Sequence, residues 1–406
     1  MKKIAIIGAG PAGICAALSA AQMGHHVDLY DKNEKIGKKL FITGKGRCNL
    51  TNDCEPEDFF QNVVTNPRFM YSAFYTFPNT ALKSLIEENG CPLKTERGNR
   101  VFPESDKSSD IIQAFKNALA RAKVNIHLES DVKTLVKNGD TITGFTLASG
   151  ETIQCDHLIL ATGGKSYQST GSDGFGYELA KSVGHRIVPP KPALTGINIV
   201  QDWPKKLQGL SLRNVELTLF IDDKKKETLM GEMLFTHFGI SGPLVLTMSS
   251  LINQDPKKAR FEIDLKPALN MDKLEKRLMR DFEKYQNKNY VNALSDLLPA
   301  KMVNVIVALS NIDPHKKVNQ ISKEERRQIA DLLKHLKLSV YSLQAIDSAI
   351  VTAGGVSVKE INPSTMASKK VKGLSFAGEM IDVDAVTGGF NIQVAASTGF
   401  LAGMIE

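Results

Sequence analysis

Residues 41–52 read FITGKGRCNLTN, a stretch with two glycines, two cations, a thiol and two asparagines and almost nothing for a core. Its Gly-Lys-Gly step invites comparison with a nucleoside-triphosphate loop, which is spaced G-x-x-x-x-G-K-[ST]. Six residues separate Gly37 from Gly44, and Lys45 is followed by Gly46, so that chemistry is excluded. A second stretch has the right spacing for phosphate. Gly8-Ala9-Gly10-Pro11-Ala12-Gly13 is a G-x-G-x-x-G turn between an apolar run, KIAII, and an alanine-rich segment. Gly8 permits the tight turn, Gly10 lets backbone approach a pyrophosphate, and Gly13 lets the following helix close on the strand. The amides and positive dipole end of that helix then face the anion.

The carboxylate such a site needs is Asp31, at the end of HHVDLYD and 18 residues past Gly13. There it would grip ribose hydroxyls. Strand before, helix after and acid at the right offset together predict dinucleotide binding, without choosing between FAD and NAD. No other strand–GxGxxG–helix unit exists. GSDGFG at 171–176 has the wrong spacing, so a nicotinamide nucleotide, if used, docks transiently.

The elements that must position these residues lie at both ends of the chain. A helix is predicted over 111–123, and short strands over 124–153 with an Asn-Gly-Asp turn at 138–140. The run Leu158 to Ala161 reads as a buried parallel strand ending in Thr162-Gly163-Gly164. Leu374 to Ala377 repeats the pattern and delivers Gly378-Glu379. After Asp382 and Asp384, Gly388-Gly389-Phe390-Asn391 opens a last helix of small residues, another place for an electron-rich atom. The two ends therefore predict one nucleotide domain with the middle inserted. PPKPAL (189–194) marks the boundary. GINIV, VELTLFI and ARFEIDL alternate like strands, and Met271 to Leu338 turns helical, with Ser322 and Glu325 forming a capping box.

A chain of 406 residues suggests two or three domains, and 42% hydrophobic with 23% charged residues is ordinary for a soluble protein. The apolar run after Lys2-Lys3 stops after four residues at Gly8, too short for a signal peptide, and no window approaches the ~20 residues of a membrane span. The expected location is the cytoplasm. Five scattered cysteines without a C-x-x-C pair argue against a disulfide framework, a zinc knuckle and a dithiol centre. The net charge is +7, and residues 266–340, with fifteen Lys/Arg and nine Asp/Glu, supply +6 of it. That segment is either a solvated helical face or a surface for a polyanion.

IAIIGAGPAG, TGKGRCNLTN, ATGGKSYQSTGSDGFGYELAKSVGH, MLFTHFGISGP, VTAGGVSVKEINPSTM and FAGEMIDVDAVTGGFNIQVA, in this order, resemble the BaiN/RdsA (YhiN-like) family of FAD-dependent oxidoreductases over the whole chain. The resemblance implies an α/β fold: a discontinuous Rossmann-like FAD domain (1–192 and 352–406), an inserted β-barrel-like domain (193–270 and 337–351) and a helical domain (271–336). Asp31 stands where such flavoproteins more often carry Glu, and Lys45 where a third small residue is usual. The implied FAD contacts are Gly8, Gly10, Pro11, Ala12, Gly13, Asp31, Lys32, Val132, Ala161, Thr162, Gly163, Gly378 and Ile392. The opening loop would run beside the flavin, with Gly46 allowing close approach and Arg47, Cys48, Asn49, Thr51 and Asn52 near diphosphate and ring. Glu379 would bind ribityl hydroxyls, Asn391 and the amides around Gly388 and Gly389 would support charge on the reduced ring, and Asp384 is either a ligand there or a helix cap.

The flavin would supply the redox chemistry and the protein a proton. Cys48 or His237 is the candidate donor, the bland alternatives being a packed thiol and a structural histidine at the start of a helix or turn. The family is connected with hydride delivery to conjugated C=C bonds, including uridine to dihydrouridine in 23S ribosomal RNA and steroid enones, and with amino-ketone oxidation. NAD(P)H is a possible reductant. Lys276, Arg277, Arg280, Lys316, Lys317, Arg326 and Arg327 are available for RNA phosphates. The competing readings are a small-molecule flavin oxidase or reductase and an FAD-bound RNA-binding factor without turnover.

Overall fold

The computed structural model describes residues 1–252 and 255–406. Lys3–Ile7 is short and apolar, with four of its five residues buried, so it belongs inside a sheet rather than at an edge. It pairs in parallel with His26–Tyr30 on one side and His157–Leu160 on the other. Asn125–His127 and Leu374–Phe376 complete a five-stranded parallel sheet at its two edges. One sheet thus draws strands from both ends of the sequence.

The helix Pro11–Gln22 follows the first strand, and its small residues are buried from Ala12 to Ala20. Their purpose is visible on the last helix, Phe390–Gly403. A Cβ on Gly399 would lie 2.0 Å from the Ala12 carbonyl oxygen, and one on Gly403 would lie 2.3 Å from that of Ala16. Two small-residue ridges one turn apart therefore meet backbone to backbone, and the C-terminal helix is locked onto the first one. The helix predicted over 111–123 spans Ser108–Arg121. The Asn-Gly-Asp turn joins the antiparallel strands Val132–Asn138 and Thr141–Leu147.

The chain divides into two compact units, residues 1–193 with 345–406, and residues 194–344. Residues 345–351, assigned from sequence to the inserted domain, lie in the first unit. The reason is pairing: Val351–Val356 runs antiparallel to Ile187–Ala193, and Asp347 accepts backbone hydrogen bonds from Tyr167 and Gln168.

The second unit is a closed antiparallel barrel. Its strand order is Ile197–Ile199, Gly239–Ser241, Lys224–Phe235, Ser211–Ile221, Ala259–Asp264 and Leu336–Leu343. Closure runs through the pairing of Ile197–Ile199 with Leu336–Leu343, while the neighbouring short strand Gly239–Ser241 pairs with Lys224–Phe235 only at Leu234 and Phe235. The helices Met271–Lys284, Ala300–Leu309 and Lys323–Lys334 are inserted before the final strand, and their Leu274, Leu278, Ile306, Ile329 and Leu333 share one core with the barrel. The capping box forms: Ser322 Oγ accepts from Glu325 N at 3.1 Å, and a Glu325 carboxylate oxygen accepts from Ser322 N at 2.8 Å. The helical reading to Leu338 was too long by the segment from Leu336. There Leu336, Leu338 and Val340 alternate with exposed or half-buried neighbours, the period of a strand.

Candidate functional site

A cavity in the first unit is walled by the turns at 8–12, 31–33, 37–39, 130–132, 161–163 and 170–176, together with Glu379. Gly8 has φ +106°, and a Cβ there would sit 2.4 Å from the Ala161 carbonyl oxygen. A Cβ on Gly13 would lie 1.8 Å from the Gly8 carbonyl oxygen, so strand, turn and helix touch through backbone alone. Gly10 is different in kind. Its Cβ position has nothing within 4 Å, and the residue lines the cavity. The helix it begins has no side-chain cap and no acid in its first turn. Backbone donors that a helix leaves unpaired at this end therefore open toward a concave, accessible space.

Asp31 lines the same cavity. Its Oδ2 accepts from Ala9 N at 2.7 Å and its Oδ1 from Asn33 N at 2.8 Å, which ties the ribose-side turn to the glycine turn. Lys32 also lines it and pairs with Asp173 at 2.6 Å. Pro11, Ala12, Val132, Ala161, Thr162 and Gly163 complete the predicted residues on the wall. Glu379 closes one end: Oε2 meets Lys39 Nζ at 2.7 Å, and Oε1 accepts from Thr352 N at 2.8 Å and Ser166 Oγ at 3.1 Å. Its acceptors are thus engaged by protein groups that the sequence reading did not single out. Lys39 and Ser166 had no signal beyond being polar in an otherwise apolar or glycine-rich context. Ser172 and Asp173, in the stretch set aside for its spacing, also line the cavity.

The remaining predicted residues gather around the start of the last helix. Gly389 has φ +96° and would place a Cβ 2.3 Å from the Thr51 carbonyl oxygen, so the opening loop and the helix start are in backbone contact. Asn52 Nδ2 donates to Gly388 O at 3.0 Å, and Thr51 Oγ1 to Gln393 Oε1 at 2.7 Å. Asn49, with its amide oxygen accepting from Gly389 N at 3.0 Å, donates to Thr51 O at 3.1 Å. Asn391 accepts from Ala385 N at 2.9 Å and donates to Ala385 O at 2.7 Å, which pins the loop before the helix. Gly378 N donates to Thr398 Oγ1 at 2.9 Å. Ile392 is half-buried against the same core.

Arg47, Cys48, Asp384 and His237 stand in surroundings that the sequence alone does not show. Arg47 is committed to acids: its guanidinium pairs with Glu96 and Asp106 and stacks over Phe102 at 4.2 Å, while Gly46 and Lys45 turn left-handed beside it. Cys48 is fully buried, and desolvation pushes its thiol up to about 12. That environment supports the packing alternative. Asp384 is not a helix cap, because the last helix begins at Gly389 without a side-chain cap. It is buried with one carboxylate oxygen unpartnered, and desolvation, together with Asp382, holds its carboxyl above the usual range. His237 lies in the second unit. It is exposed in the turn before Gly239–Ser241, edge-to-face with Phe238 at 5.0 Å, and the helix after it starts only at Pro243.

Part of the positive charge of the helical insert is paired with its own acids, and an excess of cations remains. Arg277 pairs with Asp281 at 2.7 Å, Lys316 with Glu325 at 2.6 Å and Arg327 with Glu275 at 3.8 Å. Lys317 donates to Asn287 O at 3.3 Å; Lys276 and Arg280 are exposed, and Arg326 is half-buried.

The residues present fit a flavin dinucleotide. An uncapped helix start, an open Gly10, a carboxylate just past the next strand and a cavity that Glu379 also lines are what its diphosphate and sugars require. Among the described residues, no helix is long and apolar enough to cross a membrane, and no cluster could hold a metal ion.

A family model described as the HI0933-like protein Rossmann domain matches residues 2–405. A 3-dehydro-bile acid delta(4,6)-reductase of Clostridium scindens is 30% identical over 99% of this chain and 98% of its own length. A ribosomal RNA dihydrouridine synthase of Haemophilus influenzae is 31% identical over 97% of this chain and 96% of its own. Among solved structures, the 3-ketosteroid delta1-dehydrogenase of Sterolibacterium denitrificans superposes with a TM-score of 0.52 at 12% identity, covering 99% of this chain and 98% of that one, a likeness of fold. The chain belongs to the HI0933-like Rossmann family of FAD-dependent oxidoreductases, the BaiN/RdsA group that its motifs resemble.

Proposed function

We propose that this flavoenzyme reduces a conjugated C=C bond, with uridine in large-subunit ribosomal RNA as its substrate and dihydrouridine as product. FAD, when bound, supplies two-electron chemistry: hydride taken from a reductant such as NAD(P)H and passed to one carbon of the bond, whose neighbour takes a proton. The protein's share is binding and orientation. The amides of the 8–13 turn would hold the diphosphate and Asp31 the adenosine ribose. The Lys39–Glu379 pair would lie along the ribityl chain, and the uncapped start of the last helix, held in place by Asn391, would stabilise negative charge on the reduced ring.

The observation that carries the flavin part is the open Gly10 at an uncapped helix start. The RNA part is supported by full-length similarity to dihydrouridine synthases and by the net charge of +7. Such a substrate would put the enzyme's work in the cytoplasm. The bile-acid reductase relative favours a second reading, a small-molecule enone reductase, with the same hydride and proton bookkeeping. Deleting the gene and mapping dihydrouridine in ribosomal RNA separates the two. Loss of one modified position is predicted, and an unchanged map would remove RNA as the substrate.

A further inference from the structure

Some cations of the helical insert, Arg277, Lys284 and Lys316 among them, are held in internal pairs, and a second basic surface lies on the first unit. Lys165, Lys181 and Arg186 come from three segments of the first unit: the loop after the His157–Leu160 strand, the helix Phe175–Ser182, and the turn before Ile187–Ala193. All three are exposed and line one open cavity, whose floor includes Tyr177, Ile187 and Pro190. Among the described residues, none of the three cationic groups has a carboxylate partner. The cavity's one acid, Glu178, is likewise without a cationic partner among them.

The surface continues. Arg186 N donates to Glu360 Oε2 at 2.8 Å, and His185 Nε2 lies 2.8 Å from Ser368 Oγ, which brings the 357–370 segment alongside. Lys370 spans the seam, with Nζ 2.7 Å from Gly184 O and 2.6 Å from Glu360 Oε1. Lys359 and Lys369 are exposed beside it, joined by the Lys369 Nζ to Lys359 O bond at 3.1 Å. Glu360 is the only carboxylate that these contacts bring in. Burial holds the pKa of the His185 ring below the ordinary value, against the Glu360 carboxylate 3.2 Å from its Nδ1. The result is a net-positive surface on which Lys165, Lys181 and Arg186 stay exposed and, among the described residues, without carboxylate partners.

We infer that this surface of the first unit is the phosphodiester-docking face for the RNA substrate, an inference that rests on the RNA reading of function. Unpaired Lys and Arg heads release counterions when they neutralise phosphates, whereas heads already paired with carboxylates must first break those pairs. The apolar floor suits a sugar face between two phosphates. A phosphate on a small nucleotide reductant is the competing occupant, and the test separates the two.

The experiment compares the FAD-loaded full chain with two variants of equal charge change. One is Lys165→Ala/Lys181→Ala/Arg186→Ala; the other is Lys224→Ala/Lys225→Ala/Lys226→Ala, three exposed lysines in the barrel hairpin. Binding to a fluorescent fragment of large-subunit ribosomal RNA is measured against salt concentration, alongside KM for NADPH and NADH. The cavity variant is expected to lose about tenfold or more in RNA affinity at ~0.1 M salt, and its log–log salt slope to fall by about 2. The hairpin variant is expected to keep the native slope, and neither should alter the NADPH-to-NADH preference. Equal losses in both variants, an unchanged slope in the cavity variant, no salt-sensitive binding by the native chain, or a change confined to NADPH would each overturn the inference. Native binding and a sensitive cavity variant without dihydrouridine formation would instead sink the reading of function and leave the docking face standing.

Discussion

Replacing Gly10 by alanine should separate the cofactor from the fold. Gly10 has φ −83° and ψ −177°, an extended backbone that alanine adopts freely, and an added Cβ meets no protein atom within 4 Å. The apo protein should therefore be as stable as the native chain, or more stable by about 0.4–1 kcal/mol through the unfolded state. The methyl would instead occupy the space through which the diphosphate reaches the helix amides. Losing one charge-assisted hydrogen bond of ~1.5–3 kcal/mol there should weaken FAD about ten- to a hundredfold. Gly13→Ala is the counterpart. Its Cβ would lie 1.8 Å from the Gly8 carbonyl oxygen, a backbone atom, so strand and helix must part at a cost of ~1–3 kcal/mol or more. Flavin fluorescence quenching gives the affinities, and thermal melts followed by circular dichroism, without and with FAD, give the stabilities. Native FAD affinity in Gly10→Ala, or an apo melt lowered as far as that of Gly13→Ala, would refute the reasoning.

Cys48→Ala should retain turnover and flavin content while lowering stability by ~1–2 kcal/mol, read by denaturant titration; loss of turnover with FAD still bound would restore the thiol as a donor. The native chain should also lose stability in alkali. Burial raises the thiols of Cys15 and Cys48 from 9.0 to about 12, so between those limits the unfolded chain binds fewer protons than the folded one. Stability is then full below pH ~9 and falls above it by up to ~1.4 kcal/mol per pH unit per buried thiol, and the fall should be shallower in Cys48→Ala. Glu379→Gln leaves Lys39 Nζ without its counter-charge at a partly buried site and should cost ~1–3 kcal/mol and loosen FAD; an unchanged melt would show that the pair is dispensable. If His237 supplies the proton, His237→Ala should lower turnover ~10²-fold or more with native flavin absorbance, and full turnover would exclude it.

What the sequence made legible was whatever short-range chemistry dictates. KIAII followed by GAGPAG admits little besides a buried strand, a turn and a close-packed helix, and Asp31 stands where that geometry needs an acid. The Ser322–Glu325 box is likewise local. Roles that depend on distant partners were not legible. Arg47 reads as a phosphate donor until Glu96 and Asp106 arrive from a separate hairpin, and Cys48 reads as reactive until the loop closes over it. Lys39 gains its meaning only through Glu379, 340 positions away. Basic residues counted along the helical insert suggested a polyanion surface. Folding pairs Arg277, Lys316 and Arg327 with acids, leaves Lys276 and Arg280 exposed, and also leaves Lys165, Lys181 and Arg186, which no charge run advertised, without carboxylate partners among the described residues.

The most direct test of the account is anaerobic reoxidation. The FAD-loaded protein is reduced by one equivalent of dithionite and mixed with unmodified large-subunit ribosomal RNA or with a steroid 4,6-dien-3-one, while flavin absorbance is followed. The account predicts that the RNA restores the oxidised spectrum and acquires one dihydrouridine per flavin, and that the steroid reacts far more slowly. Reoxidation by the steroid alone, with the RNA inert, would contradict it.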